Sequence, residues 1–274
     1  MSIGLWGLVI LAGLLAQFVD VMTGMGFGMI ASSLMLAAGL PPVVVVATVN
    51  LVKVGNGILA GLSHWRFGNV RREWVLPLAI PGIAGALLGA TLIRHLSEDT
   101  VRRWVSVLLL ALGGLLFARF LLRVREEAPL LGILSAFDSQ AEVRHSCDDE
   151  RPRGGWSLAG IGFLAGFFNA MSGAYGPFLT TLLLLTRGGS PRYIIGTVSC
   201  VELFVAGASA IGLLRALGSY GFPSALPIAL WAGGVIAAPC GAYLCRHLPA
   251  RVLEGVVGAT VVSLNLWNVL RAFG

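Results

Sequence analysis

Residues 22–53 read MTGMGFGMIASSLMLAAGLPPVVVVATVNLVK, and residues 171–202 read MSGAYGPFLTTLLLLTRGGSPRYIIGTVSCVE. The two stretches match at a constant spacing of 149 positions, so that Gly24 and Thr48 recur as Gly173 and Thr197. A second match, RHL at residues 94–96 and 246–248, is spaced by 152 positions. A duplication of this length predicts two structural repeats, and many transporters bind their substrate where such repeats meet.

The composition indicates that most of this chain lies in a lipid membrane. Of its 274 residues 57% are hydrophobic and 12% are charged, and 37 are glycine. These values are typical of packed transmembrane helices. The net charge of +6 indicates basic cytoplasmic loops that face anionic lipid, rather than a nucleic-acid partner. The sequence therefore predicts an all-α polytopic membrane protein whose macromolecular environment is the lipid bilayer.

Each half contains five apolar segments. They lie at residues 3–19, 27–39, 42–62, 75–93 and 105–122 in the first half, and at residues 157–168, 177–185, 194–214, 223–244 and 253–270 in the second. The last three of each half approach or exceed the ~20 residues that cross a bilayer as a helix. The first two are shorter, and glycine-rich breaks separate them, TGMGFG at residues 23–28 and SGAYGP at residues 172–177. The pattern favours a re-entrant or bent helical hairpin, with two short tilted spans as the alternative.

The domain organisation follows from these segments. We expect a first membrane repeat at residues 1–122, a polar cytoplasmic linker at 123–155 and a second repeat at 156–274. A hairpin plus three spans gives each half an odd number of crossings, which predicts repeats of inverted topology. That arrangement places 12 arginines in cytoplasmic loops and helix ends against 5 outside, whereas parallel repeats give 10 against 7. Because positive charge prefers the cytoplasm, the count favours inverted repeats with both termini outside.

Three ionisable residues in or beside the apolar segments are candidates for a functional role: Asp20, Lys53 and Glu202. A charge at the centre of a bilayer costs about 2.5–3.5 kcal/mol, so each needs a partner, a cavity or a role. Lys53 and Glu202 are 149 positions apart, which is the spacing of the duplication. An axis between the repeats would therefore bring them close together. This predicts a Lys–Glu pair, which either fixes helix packing or takes part in substrate binding. By the same arithmetic Asp20 corresponds to Asn169.

The glycine breaks are candidate anion-binding sites. A helix that begins after a break, at Gly28 or Pro177, presents unpaired N–H groups and the positive end of its dipole, which suit an anion. The alternative is that the glycines of the breaks only permit close helix packing. The candidate substrate-binding residues are those of the two breaks and of the segments that follow: Thr23, Gly24, Gly26, Gly28, Thr48, Asn50, Lys53, Ser172, Gly173, Gly176, Thr197, Ser199 and Glu202.

No catalytic or metal motif accompanies these residues. The sequence has no Ser/His/Asp set, HExxH motif, Walker loop or metal-spaced Cys/His cluster, and its four cysteines form no CxxC. The sequence therefore predicts neither an enzyme nor an ATP-driven pump, and no metal or cofactor.

In these residues the chain resembles the sulfite exporter TauE/SafE family of bacterial and archaeal permeases. The resemblance is carried by GMGFG at residues 24–28, SHWRFGNV at 63–70, GAYGP at 173–177 and ELF at 202–204. It implies a multi-pass cell-membrane protein that transports small anions, typically sulfite, sulfonates or related organosulfur acids, without ATP. Asn50 and Lys53 stand where the family usually carries His and Glu, which makes a site with an extra positive charge the expectation here.

Two functions from different classes compete. The first is a secondary transporter that exports a small anion by alternating access at the repeat interface. The second is a membrane scaffold or assembly subunit whose intramembrane charges are structural. The sequence leaves open the identity of the substrate, the direction of transport, the coupling ion and a homodimeric state.

Overall fold

The computed structural model describes residues 3–23, 26–127, 155–187, 191–218, 222–244 and 250–273. Within these ranges the chain forms ten α-helices and no strand. They are α1 (Ile3–Thr23), α2 (Phe27–Ala37), α3 (Pro42–Arg66), α4 (Arg72–Arg94), α5 (Glu98–Glu127), α6 (Gly155–Ser172), α7 (Tyr175–Arg187), α8 (Pro191–Leu217), α9 (Ala225–Leu244) and α10 (Ala250–Phe273). Each predicted segment corresponds to one helix, which confirms the all-α class. In the described part of the chain, α3 and α4 and most of α5 and α8 are long and apolar enough to cross a membrane.

Several helix ends depart from the predicted segments, three of them at the second break and the linker. Helix α6 continues to Ser172, and α7 begins at Tyr175 rather than at Pro177. A helix tolerates proline in its first turn because the missing N–H has no intrahelical partner there, so Pro177 does not have to start the helix. Helix α5 continues to Glu127, into the predicted linker. Most of that linker, residues 128–154, lies outside the described residues.

The two halves are interleaved. The most extensive helix contacts all pair one half with the other: α1 with α9, α6 with α4, α3 with α8 and α5 with α10. The contacts also repeat. Gly13 packs against the backbone of Leu230, and Gly162, its equivalent 149 positions on, packs against the backbone of Leu78, which is equivalent to Leu230 at the spacing of 152. The core is thus built from both halves together.

Helices α3 and α8, which are equivalent in the duplication, pack antiparallel through small residues. Gly57 of α3 contacts Leu203 of α8, and Gly61, one turn later, contacts Cys200, one turn earlier. Glycine lets the two backbones approach closely, as at many intramembrane helix crossings. Antiparallel packing of equivalent helices is the direction that an inverted arrangement requires.

Candidate functional site

The centre of the site is an ion pair between the two halves. Lys53 Nζ lies 2.5 Å from Glu202 Oε1, and the two side chains are 6% and 20% exposed. Lys53 is near the middle of α3 and Glu202 is near the middle of α8. The predicted contact is therefore confirmed, at a depth in the helices where a lone charge is costly.

The second glycine break and the last turn of α6 supply further acceptors for the Lys53 ammonium. Lys53 Nζ donates to the Gly173 carbonyl oxygen at 2.7 Å and to Asn169 Oδ1 at 3.4 Å. Gly173 has a φ of +75°, a conformation that residues with a Cβ rarely adopt. An ammonium group has three donors, and Glu202, Gly173 and Asn169 together provide an acceptor for each.

Asn169 connects the break to α3 and α8. Its Nδ2 donates to Asn50 Oδ1 at 2.7 Å and to Ser209 Oγ at 2.9 Å, and all three side chains are fully buried. Asn50 in turn donates to the Val46 carbonyl oxygen at 2.9 Å. Sequence reasoning did not include Asn169 among the candidate residues. The sequence offered only one sign of its role, an amide side chain directly after an apolar segment, 149 positions after Asp20.

Asp20, near the end of α1, caps α2. Its Oδ1 accepts hydrogen bonds from Gly26 N at 2.9 Å and from Phe27 N at 3.1 Å. These are among the four N–H groups that a helix start leaves without an intrahelical partner. In this structure the N-terminus of α2 therefore already holds a carboxylate, where the sequence predicted a free anion site. Asp20 also lies within electrostatic range of Glu202 and Lys53.

Ser172 stabilises the turn between α6 and α7. Its Oγ donates to the Phe168 carbonyl oxygen at 2.9 Å and accepts from Ala174 N at 3.2 Å. Its own carbonyl oxygen accepts from Ser32 Oγ of α2 at 2.9 Å. Ser172 thus shapes the second break and ties it to the helix that follows the first.

The two glycine breaks touch each other. A methyl group at Gly28 would overlap the Gly173 carbonyl oxygen and approach Lys53 Nζ to 3.1 Å. Only a residue without a side chain fits Gly28 at this separation. Gly176 differs, because a methyl group there meets nothing within 4 Å. The close approach predicted for glycine is therefore present at Gly28 and absent at Gly176.

The predicted hydroxyl residues have different surroundings. Thr48 Oγ1 is buried and has no hydrogen-bond partner among the described residues. Thr197 Oγ1 donates to the Tyr193 carbonyl oxygen at 2.7 Å and accepts from Arg71 N at 2.9 Å, so it joins α8 to the residue before α4. Ser199 is half-buried on α8. Thr48 therefore has an unused hydroxyl in this structure, whereas that of Thr197 is already bonded.

Two candidates of the first break cannot be placed. Gly24 and the side chain of Thr23 lie outside the described residues. The structure brings Lys53, Glu202, Gly28 and Gly173 into direct contact, and Asn50 joins them through its bond to Asn169.

Tyr175 is a polar residue of the second break that sequence reasoning missed. It opens α7, its side chain is fully buried, and its hydroxyl has no hydrogen-bond partner in the described parts of the chain. It lies within electrostatic range of Glu202. The only signal in the sequence was an aromatic hydroxyl inside a glycine-rich break.

A second polar group lies one turn away from the ion pair. Asn56 of α3 accepts from Trp231 Nε1 at 3.2 Å and donates to Gln17 Oε1 at 2.7 Å. Asn56 follows Lys53 by three residues and Gln17 precedes Asp20 by three. These two hydrogen bonds connect α3 to α1 and α9 beside the charged cluster.

No metal site is found at this cluster among the described residues, and a cavity in the described part of the chain lies elsewhere. The described residues contain no group of three His, Cys, Asp or Glu side chains that suits a metal ion. A cavity of about 500 Å³ lies between the start of α3, the turn from α4 to α5 and the end of α8, with Val44, Arg94, Glu98 and Leu217 in its lining. No candidate site residue lines it.

A profile of the family "Sulfite exporter TauE/SafE" matches residues 9–267 of the chain. The chain belongs to the TauE/SafE family. This TauE/SafE protein is 35% identical over 260 residues to "Probable membrane transporter protein YtnM" of Bacillus subtilis (strain 168), a match that covers 94% of the chain and 81% of the relative. It is also 36% identical over 102 residues to "Probable membrane transporter protein ORF9" of Sinorhizobium sp, over 37% of the chain and 39% of that protein. No solved structure shows significant similarity to it.

These comparisons establish the class of the protein. As a TauE/SafE family member with a membrane-transporter relative along almost its whole length, it is a multi-pass cell-membrane transporter and not an enzyme. Its ligand is accordingly a small molecule that crosses the membrane. The predicted family is therefore confirmed.

Proposed function

We propose that this protein is a secondary transporter that exports a small anion such as sulfite, a sulfonate or a related organosulfur acid. The observation that carries the proposal is the buried Lys53 ammonium where the two glycine breaks meet. A cation deep in a membrane protein marks a ligand or ion pathway more often than a structural element. The family description supports sulfur oxyanions as the first compounds to test.

The surroundings of Lys53 suit an exchangeable partner. Gly173 accepts through its backbone carbonyl oxygen, and the Asn169 side chain is held by Asn50 and Ser209. These two acceptors therefore keep the ammonium in place. Glu202 is the partner with an accessible side chain, since it is 20% exposed. We infer that the substrate oxyanion takes the position of the Glu202 carboxylate on Lys53.

The unused hydroxyls supply further donors for such an anion. Thr48 Oγ1 and the Tyr175 hydroxyl are buried and have no hydrogen-bond partner among the described residues. A buried hydroxyl without a partner costs free energy that a ligand can recover. Because Asp20 already caps α2, we assign the oxyanion to Lys53 and these hydroxyls rather than to the α2 N-terminus. Gly26 and Gly28 then act by holding the breaks together.

Alternating access needs two bodies that move against each other. Intact halves, residues 1–122 and 156–274, cannot separate without breaking the contacts of α1 with α9 and of α6 with α4. We therefore propose that inverted repeats form composite bodies, each with helices of both halves, around the Lys53 site. The linker at residues 123–155 lies in the cytoplasm in this proposal.

A structural role for the ion pair is the second candidate. It is favoured by one observation, that the three donors of Lys53 all have acceptors without any ligand. In that case the charges fix the packing of α3 on α8, and the protein would serve as a membrane scaffold or assembly subunit.

Transport by purified protein in proteoliposomes separates the two candidates. We expect labelled methanesulfonate or sulfite to cross faster than acetate, and Lys53→Met to slow this by about 10- to 100-fold, the equivalent of one charge-assisted hydrogen bond of about 1.5–3 kcal/mol. Arg271→Met, which removes an exposed cation at the end of α10, is the matched control and should transport at the wild-type rate. A folded Lys53→Met protein with wild-type rates for every anion would leave the ion pair with a structural role only.

A further inference from the structure

The charges of the described site balance each other when no substrate is present. Lys53 and Glu202 neutralise one another at 2.5 Å. The Asp20 carboxylate accepts two backbone N–H groups at the start of α2, where the helix dipole is positive. The described cluster therefore has a compensating group for each charged side chain.

A substrate anion would disturb this balance. With one added negative charge among Asp20, Lys53 and Glu202, two carboxylates and the anion would have to share one ammonium and one helix start. A net charge buried in a medium of low dielectric constant is expensive, and a carboxyl group in that situation is neutralised by a proton. The entry of an anion is thus coupled to the uptake of a positive charge, and the smallest available is a proton.

We propose that Glu202 is the proton carrier of this transporter: each monovalent anion binds to Lys53 together with one proton that binds to the Glu202 carboxylate. The proton converts the Glu202 carboxylate into a carboxylic acid, the Lys53–Glu202 ion pair opens, and the anion pairs with the Lys53 ammonium instead. On the other side of the membrane the anion and the proton leave, and the ion pair forms again. This coupling rests on the proposed function, because it describes how that same site is loaded.

Glu202 is better suited to this role than Asp20. Apart from its ion pair with Lys53, Glu202 Oε1 has no hydrogen-bond partner among the described residues, and the side chain is 20% exposed. Protonation of Asp20 would instead weaken two hydrogen bonds that cap α2. Glu202 can thus gain a proton without a change in the backbone.

The groups that face Glu202 from the helices around it are few. Helix α3 presents Lys53, α1 presents Asp20, and α7 presents Tyr175. Helix α6 has no titratable side chain, and those of α4 lie only in its first two residues and its last. The proton balance of the site therefore depends on Glu202 and these three neighbours.

Coupled movement of one anion and one proton carries no net charge. Proteoliposomes that contain a pH-sensitive dye and receive labelled methanesulfonate measure both ions at once, and this sulfonate keeps a single charge across the physiological pH range. For wild-type protein we expect one proton per sulfonate, and no change in sulfonate distribution when a potassium gradient with valinomycin sets the membrane potential. In Glu202→Gln we expect sulfonate to cross the membrane without protons. Its distribution between inside and outside should then shift about tenfold for ~60 mV of applied potential. Glu98→Gln, at an exposed carboxylate of α5, is the matched control and should stay coupled.

The outcomes distinguish this coupling from the proposed function. Sulfonate transport by wild-type protein without protons, or with a response to potential, overturns the coupling and leaves anion transport standing. Proton movement that persists in Glu202→Gln assigns the carrier role to another group and overturns the role of Glu202. If wild-type protein moves no sulfonate, sulfite, thiosulfate or acetate, anion transport fails and the coupling fails with it. If Glu202→Gln does not fold, the proton count of the wild type and of the double variant Lys53→Met/Glu202→Gln, expected to lack any coupled proton, decides the question.

Discussion

The two glycine breaks occupy equivalent places in the duplication, but the residue one turn before each does different work. Asp20 turns forward along the chain and caps the next helix through Gly26 and Phe27. Asn169 turns across to the other half and joins Lys53, Asn50 and Ser209. The carboxylate of Asp20 can only accept hydrogen bonds and caps a helix. The amide of Asn169 can also donate, and it connects the side chains of the site. Of the two equivalent positions, Asp20 thus has a local role, and Asn169 serves the contact between the halves.

The largest effect is expected at the ion pair, where, among the described residues, the second break supplies an acceptor and the first does not. Lys53→Met leaves the Glu202 carboxylate without its partner and should cost about 3–5 kcal/mol of folding free energy near neutral pH. Acidic buffer should recover part of this loss, because a proton neutralises the stranded carboxylate. Thermal unfolding in detergent measures both effects. The double variant Lys53→Met/Glu202→Gln should be more stable than Lys53→Met, and strict additivity of the two single changes would show that the charges are not coupled.

An intermediate effect is expected where the breaks touch. Gly28→Ala places a methyl group against the Gly173 carbonyl oxygen and should cost about 1–3 kcal/mol, as overpacking of a filled core does. Gly176→Ala is the matched variant in the other break, where a methyl group meets nothing within 4 Å, and it should leave the melting temperature close to that of the wild type. Equal melting temperatures for the two variants would mean that the breaks do not meet as closely as described.

The smallest effect is expected at Asp20, and it tests the comparison directly. Asp20→Asn should cost well under about 1 kcal/mol, since asparagine caps helices about as well as aspartate, whereas Asp20→Ala should cost about 0.5–2 kcal/mol. Asn169→Asp should do more harm than Asp20→Asn, because aspartate cannot donate to Asn50 and Ser209. Unfolding of the three proteins in parallel gives the order, and the reverse order would contradict the separate roles of the two positions.

The helices and the central pair could be predicted from the sequence for simple reasons. Apolar length is a local property, so α3 was expected at residues 42–62 and extends over Pro42–Arg66. The contact of Lys53 with Glu202 followed from the repeat, because the two residues are equivalent in the duplication and a predicted axis between the repeats would bring them together.

The polar details of the site could not be obtained in this way. Asp20 as a cap depends on the direction in which the chain turns through the first break, and apolar patterning does not record it. The bond from Thr197 to Arg71 depends on which helices are neighbours, as does the hub at Asn169. The packing of α1 on α9 is likewise a choice of partner that hydrophobic length does not encode.

The interleaving of the halves has a consequence for biogenesis. Helix α1 leaves the ribosome well before its main partner α9, which lies about 220 residues later in the chain. At synthesis rates of about 5–20 residues per second, α1 waits roughly 10–40 s for the surface on which it packs. During that time Asp20 can already cap α2, because its partners Gly26 and Phe27 follow within seven residues. The face of α1 that packs on α9 has no permanent neighbour until then, and lipid, the insertion machinery or helix α2 covers it.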